Sequence, residues 1–240
     1  MLSVTLAEMI RLLLLTPFLM VATMLAAPLL VWVGLMSPLG GFGAAMGAWI
    51  VGAGAGVLCG LVGVFKHDTR PLARATLALG VVLAGSLLLT VSQVQRAPIH
   101  DISTDLDDPP SFTVAIDHPA NSGRDLTYPH GNPDSAVLQR QYYPELRSPV
   151  WCDVEHGEVW QRVLAAAEAM DWNITWVNTA DMVIEAEATS RIFRFVDDVV
   201  IRLHTPNGGC IHVDVRSTSR VGQSDLGANA ARIAEFLERL

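Results

Sequence analysis

The sequence predicts an α+β domain, an antiparallel sheet with two helices on one face, preceded by three transmembrane α-helices. Three observations lead there. Long charge-free apolar runs are confined to residues 1–95, two stretches within residues 151–240 carry apolar side chains at helical spacing, and the runs between them alternate apolar with polar residues.

Charge divides the chain before any element is assigned. Of 240 residues, 51% are hydrophobic and the mean hydropathy is +0.37, high for a water-soluble protein. The excess is local: Glu8, Arg11, Lys66, Asp68, Arg70 and Arg74 are the only charges before Arg96, and 12 basic and 22 acidic residues follow from there. The first part therefore carries about +2 and the second about −10. That balance sets nucleic acid aside as a partner, because binding it requires a basic footprint. Cys59, Cys152 and Cys210 form no C-x-x-C pair, so no zinc or redox motif is read and no metal or cofactor is expected.

Residues 1–95 read as a membrane anchor. The charge-free runs 12–35, 42–65 and 75–94 are 24, 24 and 20 residues long, and at about 1.5 Å per residue each can cross a hydrocarbon core of about 30 Å. A cleaved signal peptide fits the first run poorly, since its apolar stretch is about twice a typical one and two more follow. Arg74 borders the third run, where its side chain can snorkel. Gly43, Gly47, Gly52, Gly56 and Gly60 line the second run as a small-residue stripe that permits close helix packing. No ionisable residue sits mid-span, so these helices suit an anchor in the lipid bilayer more than a transport path. Arg11 and the loop from Lys66 to Arg70 with Arg74 place the N-terminus and the second loop on the cytoplasmic side. The expectation is a multi-pass protein of a bacterial inner membrane, with residues 96–240 in the periplasm.

Residues 96–150 form an extended Pro/Asp-rich segment that wraps the domain, with turn signals at Asp107 to Pro110 and Pro129 to Pro133 and one short strand at Ser111 to Ile116. His118 and His130 read as surface residues, because no third ligand stands at metal-binding spacing. The α+β core occupies 151–240. Val159, Val163, Ala166, Ala167 and Met170 set a helix over Glu155 to Met170. Ile174 to Val177 and Asp181 to Thr189 are strands, the second with Ile184, Ala186 and Ala188 on one face and Glu185 and Glu187 on the other. Asp198 to His204 and Cys210 to Ser217 form a hairpin. Keeping Val199, Ile201 and Leu203 on a face with Ile211, Val213 and Val215 requires opposed numbers with an even sum. A turn centred on Asn207 sets Asp198 against Arg216, Val200 against Asp214, Arg202 against His212 and His204 against Cys210. A last helix follows Ser224 and Asp225, either of which can cap it, with Ala230, Ile233 and Phe236 on its apolar stripe.

The sheet's second face would display Glu185, Glu187, Asp198, Arg202, His212, Asp214 and Arg216 as a solvated ladder of charge. Beyond it, Arg216, Ser217, Ser219, Arg220, Ser224, Asn229 and Arg232 surround a helix start and form a candidate anion site, since guanidinium forks, hydroxyls and helix N–H groups are what bind anions. The competing reading is structural: Asp197, Asp198, Arg202, Asp214 and Asp225 satisfy these arginines internally. Adjacent Asp197 and Asp198 point to opposite faces and cannot share a proton, and His212 and Ser217 carry no nucleophile motif; no catalytic residue is assigned. Cys152 and Cys210 either form a disulfide or are two small buried apolar groups.

Three motifs carry a family resemblance: Pro98-Ile99-His100-Asp101-Ile102-Ser103-Thr104 with Asp107-Asp108-Pro109-Pro110, then Phe193 to Arg202, then Val213-Asp214-Val215-Arg216-Ser217 through Ser219, Arg220, Gly222, Ser224, Asp225, Gly227 and Asn229 to Arg232-Ile233. Residues 98–240 resemble the domain of unknown function 1499 family, and the three spans lie outside the likeness. The resemblance implies no established activity, cofactor or catalytic residue. Function is then expected to be that of a membrane-anchored envelope protein. Its exposed domain binds an anionic small molecule or lipid headgroup, or else serves as a scaffold for an envelope protein partner; hydrolysis is the third alternative.

Overall fold

The structure, a computed structural model, describes residues 6–65, 69–93, 97–129 and 133–240. Lys66 to Asp68, Val94, Arg96 and His130 to Asn132, invoked above, lie outside the described residues. The chain divides into two compact units, residues 1–95 with 191–194, and residues 96–190 with 195–240.

The first unit holds α1 (Leu6–Trp32), α2 (Pro38–Val64) and α3 (Arg70–Gln93), all long and apolar enough to cross a membrane. All three helices begin ahead of the charge-free runs; α1 and α3 do so because Glu8, Arg11, Arg70 and Arg74 are good helix formers that a criterion based on charge excludes. α1 stops short of Leu35; Gly34 takes φ +75°, and Ser37 caps α2 by accepting from Gly40 N at 3.1 Å, with Pro38 at the first helical position. α2 packs on both neighbours. A Cβ on Gly56 would stand 2.5 Å from Gly80 Cα, and one on Gly60 2.7 Å from Leu77 Cα. Gly43 and Gly47 have nothing within 4 Å, so the five-glycine stripe is a packing surface only over its second part. Thr76 Oγ1 donates to Leu14 O at 2.8 Å and Trp49 Nε1 to Leu83 O at 3.0 Å, joining the helices by hydrogen bonds that apolar surroundings do not contest.

The second unit is an all-antiparallel six-stranded sheet with two helices on one face. Its strands are β1 (Asp101–Ser103), β2 (Val150–Trp151), β3 (Asn173–Asn178), β4 (Val183–Thr189), β5 (Val196–His204) and β6 (Ile211–Ser219); its helices are α4 (Ser135–Tyr142), α5 (His156–Ala169) and α6 (Ala228–Leu237). The order is β1-β6-β5-β4-β3, with β2 also on β6. Alternation builds the core: Ile184, Val199, Ile201, Leu203, Val213 and Val215 point to one face and bury against Val159 and Val163 of α5 and Ile233 and Phe236 of α6. The segment before the core adds Ala97, Ile99, Ile102 and Leu146 to it. Cys152 and Cys210 are bonded, with S–S 1.95 Å, tying the end of β2 to the start of β6.

Four expectations are corrected. Residues 111–116 make no strand, because the N–H groups of Thr113, Val114 and Ala115 turn onto the Glu185 carboxylate instead of a neighbouring strand. α4 is an element that the apolar pattern of 96–150 did not announce. The β5–β6 register is shifted by two residues: Arg202 opposes Asp214, Val200 opposes Arg216, Asp198 opposes Thr218 and His204 opposes His212. The even sum holds, so each side chain keeps its face, but the turn centres on Gly208, at φ +70°, and not on Asn207. Finally, the polar face is not a solvated ladder. Glu185, Asp198 and Arg216 are each 1% exposed and Asp214 is 0% exposed, because the chain between β1 and β2 crosses over that face.

Gly56→Val should disrupt the approach of α2 to α3, whereas Gly47→Val should not. Thermal unfolding in detergent, followed through maleimide labelling of Cys59, the free cysteine in α2, should show a lowered midpoint for the first variant only.

Candidate functional site

β6 sorts the candidate anion residues onto two sides of the sheet. Ser217 and Ser219 face α6, while Arg216 and Thr218 face the crossing segment, so the seven residues are not one site. On the helix side, Ser217 Oγ donates to Asn229 Oδ1 at 2.7 Å, and Asn229 Nδ2 donates to His100 O at 2.9 Å and to Ser219 Oγ at 3.0 Å. Arg232 donates to Ser217 Oγ at 2.9 Å, to Asn229 Oδ1 and to Asp197. Asp225 accepts from Gly227 N and Asn229 N, each at 2.7 Å, which satisfies the start of α6. Burial pushes its carboxyl up, and these N–H groups only partly offset that. Ser224 is peripheral, its Oγ accepting from Leu226 N at 3.4 Å.

On the opposite side three arginines each meet carboxylates. Arg216 is bidentate to Asp101, Nε to Oδ1 and Nη2 to Oδ2, both at 2.9 Å. It also donates to Leu126 O at 2.8 Å and Pro110 O at 3.3 Å, and it lies 5.0 Å from the Phe112 ring centre. Arg220 solves a different problem. Glu187 and Asp198 are directly opposed on β4 and β5, a like-charge pair that would repel; Arg220 bridges them, with Nε 3.1 Å from both Asp198 oxygens and Nη2 on Glu187. Asn121 and Arg124 reach the same aspartate. Arg202 donates Nε and Nη2 to Asp214 Oδ2 at 3.1 and 2.7 Å, and Nη2 to Asp108 O at 2.6 Å. Asp101, Asn121, Arg124 and the backbone partners at Pro110 and Leu126 lie in a stretch without periodicity. Sequence signals there were turns and one short strand at Ser111 to Ile116, so who covered the polar face was not legible.

Two clefts remain open beside this network. One, of about 310 Å³, is lined by His118, Thr175, Glu187, Asp198 and Arg220; His118 stands 3.5 Å from Glu187 and is thus no isolated surface histidine. The larger, of about 420 Å³, has its origin in the edge of the sheet. β1 pairs with residues 216–218 of β6 and β2 with 211–212, so the edge strand is interrupted between them. Thr104 N donates to Val215 O where the chain leaves, and Val213 N donates to Pro149 O where it returns. The cleft opens over that interruption, lined by Thr104, Asp105, Arg140, Arg147, Ser148 and His212 among others.

Its floor is polar and ordered. Ser148 Oγ donates to Asp214 Oδ1 at 2.6 Å and lies 2.9 Å from Thr104 Oγ1, which accepts from Val215 N. His204 Nδ1 lies 2.9 Å from Asp214 Oδ2. The carboxylate therefore sits between hydroxyl and imidazole, whereas nucleophilic catalysis needs the imidazole between hydroxyl and carboxylate. This order does not activate Ser148. The outer wall carries Arg140, 57% exposed and paired with a nearly fully exposed Asp107 at 3.1 Å, and Arg147, which donates Nε to Pro144 O.

Removing one member of a buried pair strands the other charge, at a cost of about 3 to 5 kcal/mol. Arg216→Ala should destabilise the domain by about that amount in urea titration, and an Arg216→Met, Asp101→Leu double variant should recover part of it. Glu187 supplies a pH signature. Burial pushes its carboxyl up, but hydrogen bonds from Arg220 and Asn173 outweigh burial and hold it below the ordinary 4.5. A carboxyl depressed on folding adds stability above 4.5 that is lost as pH falls through the folded value. Glu187→Gln should lower the melting temperature at pH 7 and flatten its decline below pH 4.5.

The profile of the family described as protein of unknown function, DUF1499, matches residues 101–240. The chain belongs to that family, and its three membrane-spanning candidates precede the matched region. No curated protein and no solved structure matches the chain.

Proposed function

We propose that the chain is a membrane-anchored envelope protein whose exposed domain holds a small anionic ligand, a phosphate group free or on a lipid, in the cleft between β1 and β2. The observation that supports this reading is a contrast among arginines. Arg216, Arg220 and Arg232 are at most 11% exposed in their side chains and are matched by carboxylates. Arg140 and Arg147 stand on a cleft wall beside His212, and among the described residues the carboxylate bound to Arg140 is an exposed one. An exposed ion pair contributes about 0 to 1 kcal/mol, so an incoming anion displaces Asp107 at little cost. The anion site of this reading thus moves from the β6–α6 corner to the interrupted edge.

The distribution of charge in the loops supports an orientation with the N-terminus cytoplasmic and residues 96–240 in the periplasm of a bacterium. The Cys152–Cys210 bond fits an oxidising compartment. A scaffolding role is the second reading, favoured by the internal matching of the buried charges.

Titration of the full chain in nanodiscs with inorganic phosphate and with short-chain phosphatidylglycerol tests the assignment. Charge-assisted hydrogen bonds contribute about 1.5 to 3 kcal/mol, so Arg140→Ala with Arg147→Ala should weaken binding at least about tenfold. Unchanged affinity in that variant, or no binding by the parent chain, favours the scaffold.

A further inference from the structure

Beside the same cleft, whose lining includes Asp105, side chains from three parts of the chain converge. One ligating atom each from Asp105, His204 and Asp214 lie within 4.8 Å of one another. His204 Nδ1 is 2.9 Å from Asp214 Oδ2, yet it is buried and forms no hydrogen bond of acceptable geometry. A nitrogen and an oxygen this close, without hydrogen-bond alignment, have the spacing of two ligands on one ion.

Each of the three is held from outside the cluster. Asp214 Oδ1 is fixed by Ser148, and Oδ2 is held by Arg202, from whose Nε and Nη2 it accepts. Asp105 Oδ1 accepts from Asp107 N at 2.9 Å and Asp108 N at 3.0 Å, which commits one oxygen and orients the carboxylate. His204 stands opposite His212 in the β5–β6 pairing, with ring centres 5.5 Å apart. Such outer contacts are what set ligand orientation in metal sites.

The charge count points the same way. Among the described residues, Arg202 is the arginine that pairs with Asp108 and Asp214 beside Asp105, and Arg140 is paired with Asp107. Three carboxylates against one guanidinium leave a formal −2 with His204 neutral. Arg202 shares Asp214 Oδ2, but its Nη1 also lies 3.1 Å from Asp108 Oδ2 and Nη2 bonds Asp108 O, so the guanidinium is anchored on the far side and can yield one lone pair of the shared oxygen.

We infer that Asp105, His204 and Asp214 form a binding site for one divalent transition-metal ion, of the Mn²⁺ or Zn²⁺ kind. Two carboxylate oxygens and one imidazole nitrogen are a mixed set that suits these ions better than the all-oxygen preference of Mg²⁺ or Ca²⁺ or the thiolate preference of softer ions. Asp105 borders the cleft, so the site adjoins solvent through that residue. The site stands independent of the anion reading, since the three ligands come from the protein.

Full-length chain in detergent, stripped with chelator and dialysed against MnCl₂ or ZnCl₂, decides the matter by metal analysis and calorimetry. One equivalent of at least one ion per chain is expected, with a raised melting temperature on loading. Asp105→Asn and His204→Gln both alter residues at the rim of the domain, and each should lose that equivalent or weaken it at least tenfold. Absence of binding in the parent chain, or retention of the full equivalent in either variant, overturns the site. Phosphate titration of the metal-free chain keeps the two proposals apart: binding that persists without metal supports the anion cleft alone.

Discussion

The second unit depends on one buried guanidinium. Arg216 projects from β6 into a space sealed from water, and its fork is matched bidentately by Asp101 of the edge strand. A charge so placed cannot be left without a partner, so β1 must lie where it does, and the carbonyls of Pro110 and Leu126 must come to it as well. The cost of burying the ion is thereby turned into a constraint on a segment that has few apolar residues of its own. The described residues of 104–129 and 133–149, among which there is no strand, are held instead by side chains such as Arg216, Glu185 and Asp198.

That covering explains the cleft. A segment that must leave the sheet to shield the polar face interrupts the edge, and at the interruption the backbone of β6 is met by the ends of that segment, Val215 O accepting from Thr104 N and Val213 N donating to Pro149 O. Polar groups at the break are closed by Ser148, whose hydroxyl donates to Asp214, and by Thr104, whose hydroxyl accepts from Val215 N. The cleft, the floor of ordered polar side chains and the convergence of Asp105 with His204 and Asp214 all follow from the same excursion.

Much of the fold was legible because it rests on periodicity. The spans of α1 to α3 showed in charge-free length, α5 and α6 in apolar spacing, and β4 to β6 in alternation. Alternation fixes a face and is silent about sliding by two, so the β5–β6 register depended on a turn whose centre, Gly208, only geometry reveals. The polar partners were less legible still. Asp101, Asn121 and Gln139 act singly, through side-chain bonds to residues 36 to 115 positions away, and no local pattern announces such a contact. Arg216, Arg220 and Arg232 stood out as a basic run, but strand geometry sends two of them to one side and the third to the other.

One small feature governs how far the sheet can extend. Gln139 of α4 accepts from Ser103 N at 3.0 Å through Oε1 and donates Nε2 to Ser103 O, using both backbone groups that the last residue of β1 would otherwise offer to a seventh strand. An amide side chain thus imitates a strand neighbour and terminates the ladder. The outer edge is blunted against pairing with another copy of the chain, which protects a domain whose edge would otherwise be a template for aggregation.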